Sequence, residues 1–436
     1  MRHVPALQLK RDKIHGPFPF LNPTQAHFAH VSTNKSSAES EASDENERVT
    51  AQTSNGATDR ATARTSDGAN DSHPEEVPAS SVEYKWTSRN NRKGRHALVV
   101  TPADSAYAQY ATPPPTSATK EVMKGIWRMF TYYPFWDISW LVAQIFTWGS
   151  VIWVVNAFFA LLPFTNAETD FPGETLFGGG ITAFIGATVF EIGSVFLMLE
   201  AVNENRAGCF GWALEQVYDE HFGHAATERG IARVVPEACS HHHSNKKNLV
   251  GKAPSGATAT AVEKQPDARV SADGTPPGGK SWVWWPSWRE LRTHYFHDLG
   301  FIACSCQMFG ATVFWISGFT ALPGIYDNLA PIAVLNGVYW VPQMVGGMFF
   351  TLSGALFTIE TQKHWWQPAF GVLGWHIGLW NFIGGVGFLL CPVFGLKTSH
   401  WREMQASIST FWGTLSSDLV VDHSLLLTLQ QAPGRS

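Results

Sequence analysis

Five long apolar runs occupy the second two-thirds of the chain: Ile138–Leu162, about Leu176–Val202, Leu299–Leu322, Val338–Thr361 and Gly371–Phe394. None alternates with period two, and none confines its apolar residues to one helical stripe. Each is at least 22 residues long. At ~1.5 Å per residue, that length crosses a hydrocarbon core of ~30 Å. Helices apolar on all sides and this long are membrane spans rather than soluble core helices.

The polar stretches differ sharply from these runs. Residues 1–120 are rich in Ser, Thr, Ala, Asn, Asp, Glu and Pro, and read as a disordered tail, because so little apolar surface cannot offset the entropy of ordering. Residues 206–280 have similar composition and read as a disordered loop. Residues 121–205 then form a first transmembrane hairpin, 281–362 a second, and 363–436 a fifth span plus an incomplete sixth segment. The predicted fold is an all-α membrane protein, a bundle of five to six helices built from repeated hairpins.

Lys and Arg set the predicted orientation. Lys120, Lys124 and Arg128 precede the first span, and eleven basic residues lie from Arg206 through Arg292. The loops after the first and third spans have none. The N-terminus and the long loop are therefore expected in the cytosol of a multi-pass integral membrane protein. Trp282, Trp284, Trp285, Trp288, Trp365 and Trp366 sit where indole rings anchor at the headgroup level. Ser287 and Glu290 have capping-box spacing, which predicts a helix whose Trp288, Leu291, Tyr295 and Leu299 share a face leading into the third span.

The repeat rests on an ungapped offset of 160 residues: Phe159 and Pro163 meet Phe319 and Pro323, Gly186 meets Gly346, Phe190 meets Phe350, and Glu200 meets Glu360. Both copies start on the same side, so the repeats are parallel. Span five ends in Phe388-Leu-Leu-Cys-Pro392, which opens a third hairpin. Its partner near 405–430 begins Phe411-Trp412-Gly413 but carries Asp418, Asp422 and His423. At roughly +3 kcal/mol per central Asp, this run inserts poorly. The third hairpin is incomplete or the C-terminal sequence aberrant.

WWPSWRELRTHYFHDLGFIACSCQMFGATVFWISGFTALPGIY (284–326) and SVFLMLEAVNENR (194–206) resemble a family of uncharacterised fungal multi-pass membrane proteins over about residues 121–413. That family implies a last span after STFWG, where this chain departs. The GSVFL and SGALF segments are also distantly similar to the small bacterial YrhK-like membrane domain. Neither resemblance supplies catalytic residues.

Ionisable groups within spans are costly and mark sites by default. Counting ~1.5 Å per residue from the cytosolic end puts Glu191 about 16 Å deep, Asn381 about 15 Å and Gln307 about 12 Å, so these three are expected to meet as a polar centre. The competing reading is interhelical glue, and the 160-residue offset gives Glu191 only Thr351 as counterpart. Glu200 and Glu360 fall at cytosolic span ends, within reach of water and of Lys or Arg, with His376 near the same level.

The five cysteines have no metal-type spacing, and His241, His242 and His243 after Cys239 form a lone tract, so no metal or cofactor is predicted. Gly371, Gly374, Gly378 and Gly385 make a close-packing face. No P-loop, HExxH, GxSxG or strand-linked GxGxxG occurs. The net charge of -5 gives no reason to expect nucleic acid. The expected partners are the lipid bilayer, a small ion or solute, and cytosolic proteins bound by the polar segments. The leading function is transporter- or channel-like, centred on Glu191. The alternatives are a non-catalytic membrane scaffold and an intramembrane lipid-modifying enzyme.

Overall fold

A computed structural model of the protein describes residues 7–9, 13–30, 82–93, 97–100, 132–203, 282–397 and 399–430, with isolated positions between 120 and 131. The expected disordered loop, with His241, His242, His243, Cys209 and Cys239, lies outside the described residues, as do residues 31–81 of the tail.

The described parts of the tail are ordered, which differs from the sequence expectation. Strands β1 (Leu7–Leu9), β2 (Gln25–His30), β3 (Val82–Thr87) and β4 (Ala97–Val100) form one antiparallel sheet in chain order. In it Phe28 lies opposite Tyr84, and Val82 opposite Val100. Short runs of β-formers, VEYKWT and ALVV, carry these strands, and the polar average of the surrounding sequence hides them. Helix α1 (Ser88–Arg92) follows β3 directly, with Thr87 accepting from the Asn90 amide at 3.2 Å.

The membrane bundle begins with α2 (Ile138–Thr165), capped by Asp137, and α3 (Gly180–Val202). Helix α4 (Trp288–Thr293) has the full capping box between Ser287 and Glu290. It does not run on into the next span. His294 breaks it, residues 295–297 make a single 3-10 turn, and Asp298 caps a new helix, α5 (Leu299–Thr320), by accepting from Phe301 N at 2.8 Å. The break lets Tyr295 turn back and donate its hydroxyl to the Val202 carbonyl at 2.9 Å.

Helices α6 (Val341–Glu360), α7 (Leu373–Gly395) and α8 (His400–Gln430) complete the bundle. Among the described residues, five helices are long and apolar enough to cross a membrane, those ending in α2, α3, α5, α6 and α7. The sixth segment is one continuous 31-residue helix, α8, outside that apolar class. It packs on both α7 and α2. Pro163 and Pro392 lie inside the last turns of α2 and α7 rather than beyond them. So close to a helix end, little of the backbone ladder is left to disrupt.

These helices form three hairpins arranged as a closed ring. Each of α2, α3, α5, α6, α7 and α8 packs against the next in sequence, and α8 packs back against α2. Both even-numbered spans carry a π turn directly before their long helix, at Glu174–Gly179 before α3 and at Asn336–Trp340 before α6. Glycine lets α6 and α7 approach closely. A methyl at Gly378 would lie 2.5 Å from Thr358 N, and one at Gly385 2.5 Å from Thr351 N. Gly374 faces the same way, but Gly371 precedes the helix and meets nothing within 4 Å.

The outer surface is apolar, as a lipid-facing surface must be: Trp148, Val155, Ile181, Ile192, Phe309 and Leu352 are all exposed. Trp285, Trp288, Trp365 and Trp366 are exposed at the end where α5 starts and α6 finishes. The chain is thus a multi-pass membrane protein in contact with the bilayer.

Candidate functional site

At the ring's centre, five helices each contribute one aromatic ring. Trp153, Phe190, Phe314, Phe350 and Phe388, from α2, α3, α5, α6 and α7, form one buried cluster. Trp153 meets Phe388 edge-on at 5.3 Å and Phe314 edge-on at 5.5 Å, and Phe314 meets Phe388 edge-on at 5.7 Å. These edge-to-face contacts add about 0.5–1.5 kcal/mol each beyond the area they bury. Small residues make the room: a methyl at Gly186 would sit 2.8 Å from the Trp153 indole nitrogen.

The end of the bundle marked by Glu200 and Glu360 is closed by the tail. Glu360, 2% exposed, forms a two-point pair with the Arg92 guanidinium, one hydrogen bond from Nη1 and one from Nη2 at 2.8 Å. Ser88 donates to Glu360 at 2.7 Å and lies 3.2 Å from Asp298. Glu200, 1% exposed, accepts from Lys93 Nζ at 3.0 Å and from the Ser139 hydroxyl at 2.8 Å. Both acids are read from sequence as reaching water, and here they are buried beneath α1. Burial alone would lower the Arg92 pKa, but Glu360 beside it outweighs this and holds it well above the usual guanidinium value.

Further contacts tie the plug down. Thr24 O accepts from Ser88 N at 2.9 Å, Gln25 donates to Thr361 O at 3.0 Å, and Asn22 N donates to His297 O at 2.8 Å. Gly300 is what lets Arg92 approach, because a methyl there would collide with the guanidinium. Asn203, at the end of α3, exchanges two hydrogen bonds with the Val283 backbone at 2.7 Å, fixing the approach to α4.

Between plug and aromatic cluster lies a cavity of about 140 Å³. Arg89, Arg92, Lys93 and Glu200 line its mouth, and Phe190, Phe350 and Phe388 line its floor. Its walls include Ser150, Gln307, Ser353 and Asn381. Ser353 donates to the Ala303 carbonyl at 2.9 Å. The Ser150 hydroxyl is buried and has no hydrogen-bond partner among the described residues.

The three residues expected to meet in the centre therefore separate. Gln307 and Asn381 line the cavity, whereas Glu191 is not part of its wall. One Glu191 oxygen lies 3.0 Å from the hydroxyl of exposed Thr312, so it bridges α3 and α5. Counting depth along a helix misses this, since it says nothing of which way a residue faces. His376 contacts the Phe370 carbonyl at 2.8 Å, within its own segment, and does not line the cavity.

Ser88, Arg92, Lys93, Ser139, Ser150 and Asp298 were not singled out from sequence. Asp298 and Ser139 sit at span starts, where a cap search would find them. SRNNRK offers only a density of hydrogen-bonding residues in a polar tail. Among the described residues no cluster of His, Cys, Asp or Glu is arranged to hold a metal. The chain matches no family model, no curated protein and no solved structure.

Proposed function

We propose that this membrane protein is transporter- or channel-like, with its solute site in the central cavity rather than at Glu191. One observation carries the reading: a closed ring of helices surrounds a cavity lined by both apolar and polar side chains, with aromatic rings on one side and a salt-bridged plug on the other. A scaffold needs no such space, and a well-packed bundle would fill it. Solute sites near the centre of a helix bundle, with closures on either side, are the arrangement that alternating access requires.

In this reading the plugged end faces the cytosol, because Lys and Arg concentrate in the segments joined to it. The first two hairpins are tandem copies. The 160-residue offset and the π turns directly before α3 and α6 support this. Glu200 and Glu360 would then be duplicated anchors that came to hold two successive cations of one plug.

The test is solute flux in proteoliposomes, wild type against Asn381→Leu, with elution profiles verifying that both fold. Flux that the variant loses supports the reading. No flux for any ion or small solute, in wild type or in plug-loosened Lys93→Gln, would remove it and leave the scaffold alternative.

A further inference from the structure

Resting on that reading, we infer that the cavity's ligand is a small uncharged polar molecule with an apolar face, of polyol or amide type, and not an ion. The first ground is where the charges are. Among the described residues, every ionisable side chain lining the cavity lies at the mouth: Arg89, Arg92, Lys93 and Glu200. There Arg92 is committed to Glu360 and Lys93 to Glu200. The positive charge of Arg89 also acts on Glu360, and its stem carbon Cδ lies 3.1 Å from the position a methyl on Gly374 would take.

Below the mouth the wall is neutral, with the Ser150 hydroxyl and the amide side chains of Gln307 and Asn381 set among Phe146, Phe190 and Phe357. An ion entering this space would shed its water with no counter-charge to replace it, at far greater cost than a neutral polar group. A neutral molecule loses only a few hydrogen bonds on entry, and this wall can return them.

The second ground is the unsatisfied Ser150. The residue is 1% exposed and its hydroxyl has no hydrogen-bond partner among the described residues, yet the residue lines this cavity. Buried polar groups are almost always paired, with protein or with an occupant. The third ground is size. A volume near 140 Å³ is close to that of an apolar cavity known to accept benzene, so the occupant has about six heavy atoms. The aromatic part of the wall favours carbon-bound hydrogens on one side of that occupant, and the amides favour hydroxyl or amide groups on the other.

Glycerol is the probe, compared with potassium, chloride and protons, in proteoliposomes of the full chain. Wild type and Lys93→Gln are measured together, because the second loosens the plug at its more exposed pair. Vesicle-volume relaxation reads glycerol, and ion-sensitive dyes read the rest. The expected result is glycerol flux at least tenfold above empty vesicles in one or both proteins, no ion flux, and loss of the glycerol flux in Asn381→Leu and Ser150→Leu. Ion flux without glycerol flux would overturn the ligand class and leave the transport reading standing. No flux of any probe in either protein would overturn both.

Discussion

Arg92 and Glu360 stand 268 positions apart in the chain and meet in a buried two-point ion pair at the end of the sixth helix. With Arg92 4% exposed and Glu360 2% exposed, neither charge has water to fall back on. Removing one partner of such a pair costs about 3–5 kcal/mol, while replacing both by apolar residues is often neutral. Glu360→Gln and Arg92→Met should each lower the melting temperature of the detergent-purified protein sharply. The double variant Arg92→Met with Glu360→Leu should recover most of the loss. Equal melting temperatures for wild type and both single variants would show that the pair contributes nothing to stability.

The seat of that pair also depends on a glycine. A methyl at Gly300 would collide with the Arg92 guanidinium, while α5 itself would gain helix propensity. Gly300→Ala should therefore expel the plug without breaking the span. Trypsin is the reporter, since Arg89, Arg92 and Lys93 become accessible together. Cleavage in this window should be many times faster in the variant than in wild type, and unchanged cleavage would mean that α5 shifts to accommodate the methyl.

Glu191 tests the difference between sequence depth and structural facing. It hydrogen-bonds Thr312 between α3 and α5 and does not line the cavity. A Gln in its place still offers an oxygen to Thr312, so Glu191→Gln should change stability by no more than about 1 kcal/mol. It should leave solute flux within twofold of wild type. A variant that folds but loses flux, beside an active Asn381→Leu, would move the functional centre back to Glu191.

The comparison between chain and fold has a physical pattern. The spans, the capping box at Ser287 and the tight faces at Gly378 and Gly385 are local, because chain length, cap spacing and helical periodicity act over a few residues. Glu200 and Glu360 were also legible, as a recurrence at one offset. What they bind was not. Arg92 and Lys93 lie in a stretch whose composition resembles a solvated tail, and composition carries no information about a partner hundreds of residues away. The separation of Glu191 from Gln307 and Asn381 was hidden for a related reason. Apolar residues surround all three spans, so the sequence offers no polar face to show which side is inward. Helix α8 lay between these cases. Its acids predict poor insertion, yet the first half packs against the ring, with Phe411 edge-on to Phe158 at 5.3 Å and Gly413 against Gly387.

The aromatic floor yields a prediction in which stability and permeability move in opposite directions. Phe388 is buried, reaches Trp153, Phe190, Phe314 and Phe350, and also lines the cavity. Truncating a buried Phe to Ala costs about 3–5 kcal/mol, part of it from the void left behind. Here the void would join the cavity to the space beyond the floor. Phe388→Ala should therefore lower the melting temperature and raise glycerol permeation above wild type in the same vesicles. Phe319→Ala is the control, because Phe319 is exposed and lies outside the buried cluster. It should change neither quantity by much. A Phe388→Ala protein that is destabilised but no leakier would show that the rings hold the ring of helices together without acting as its barrier.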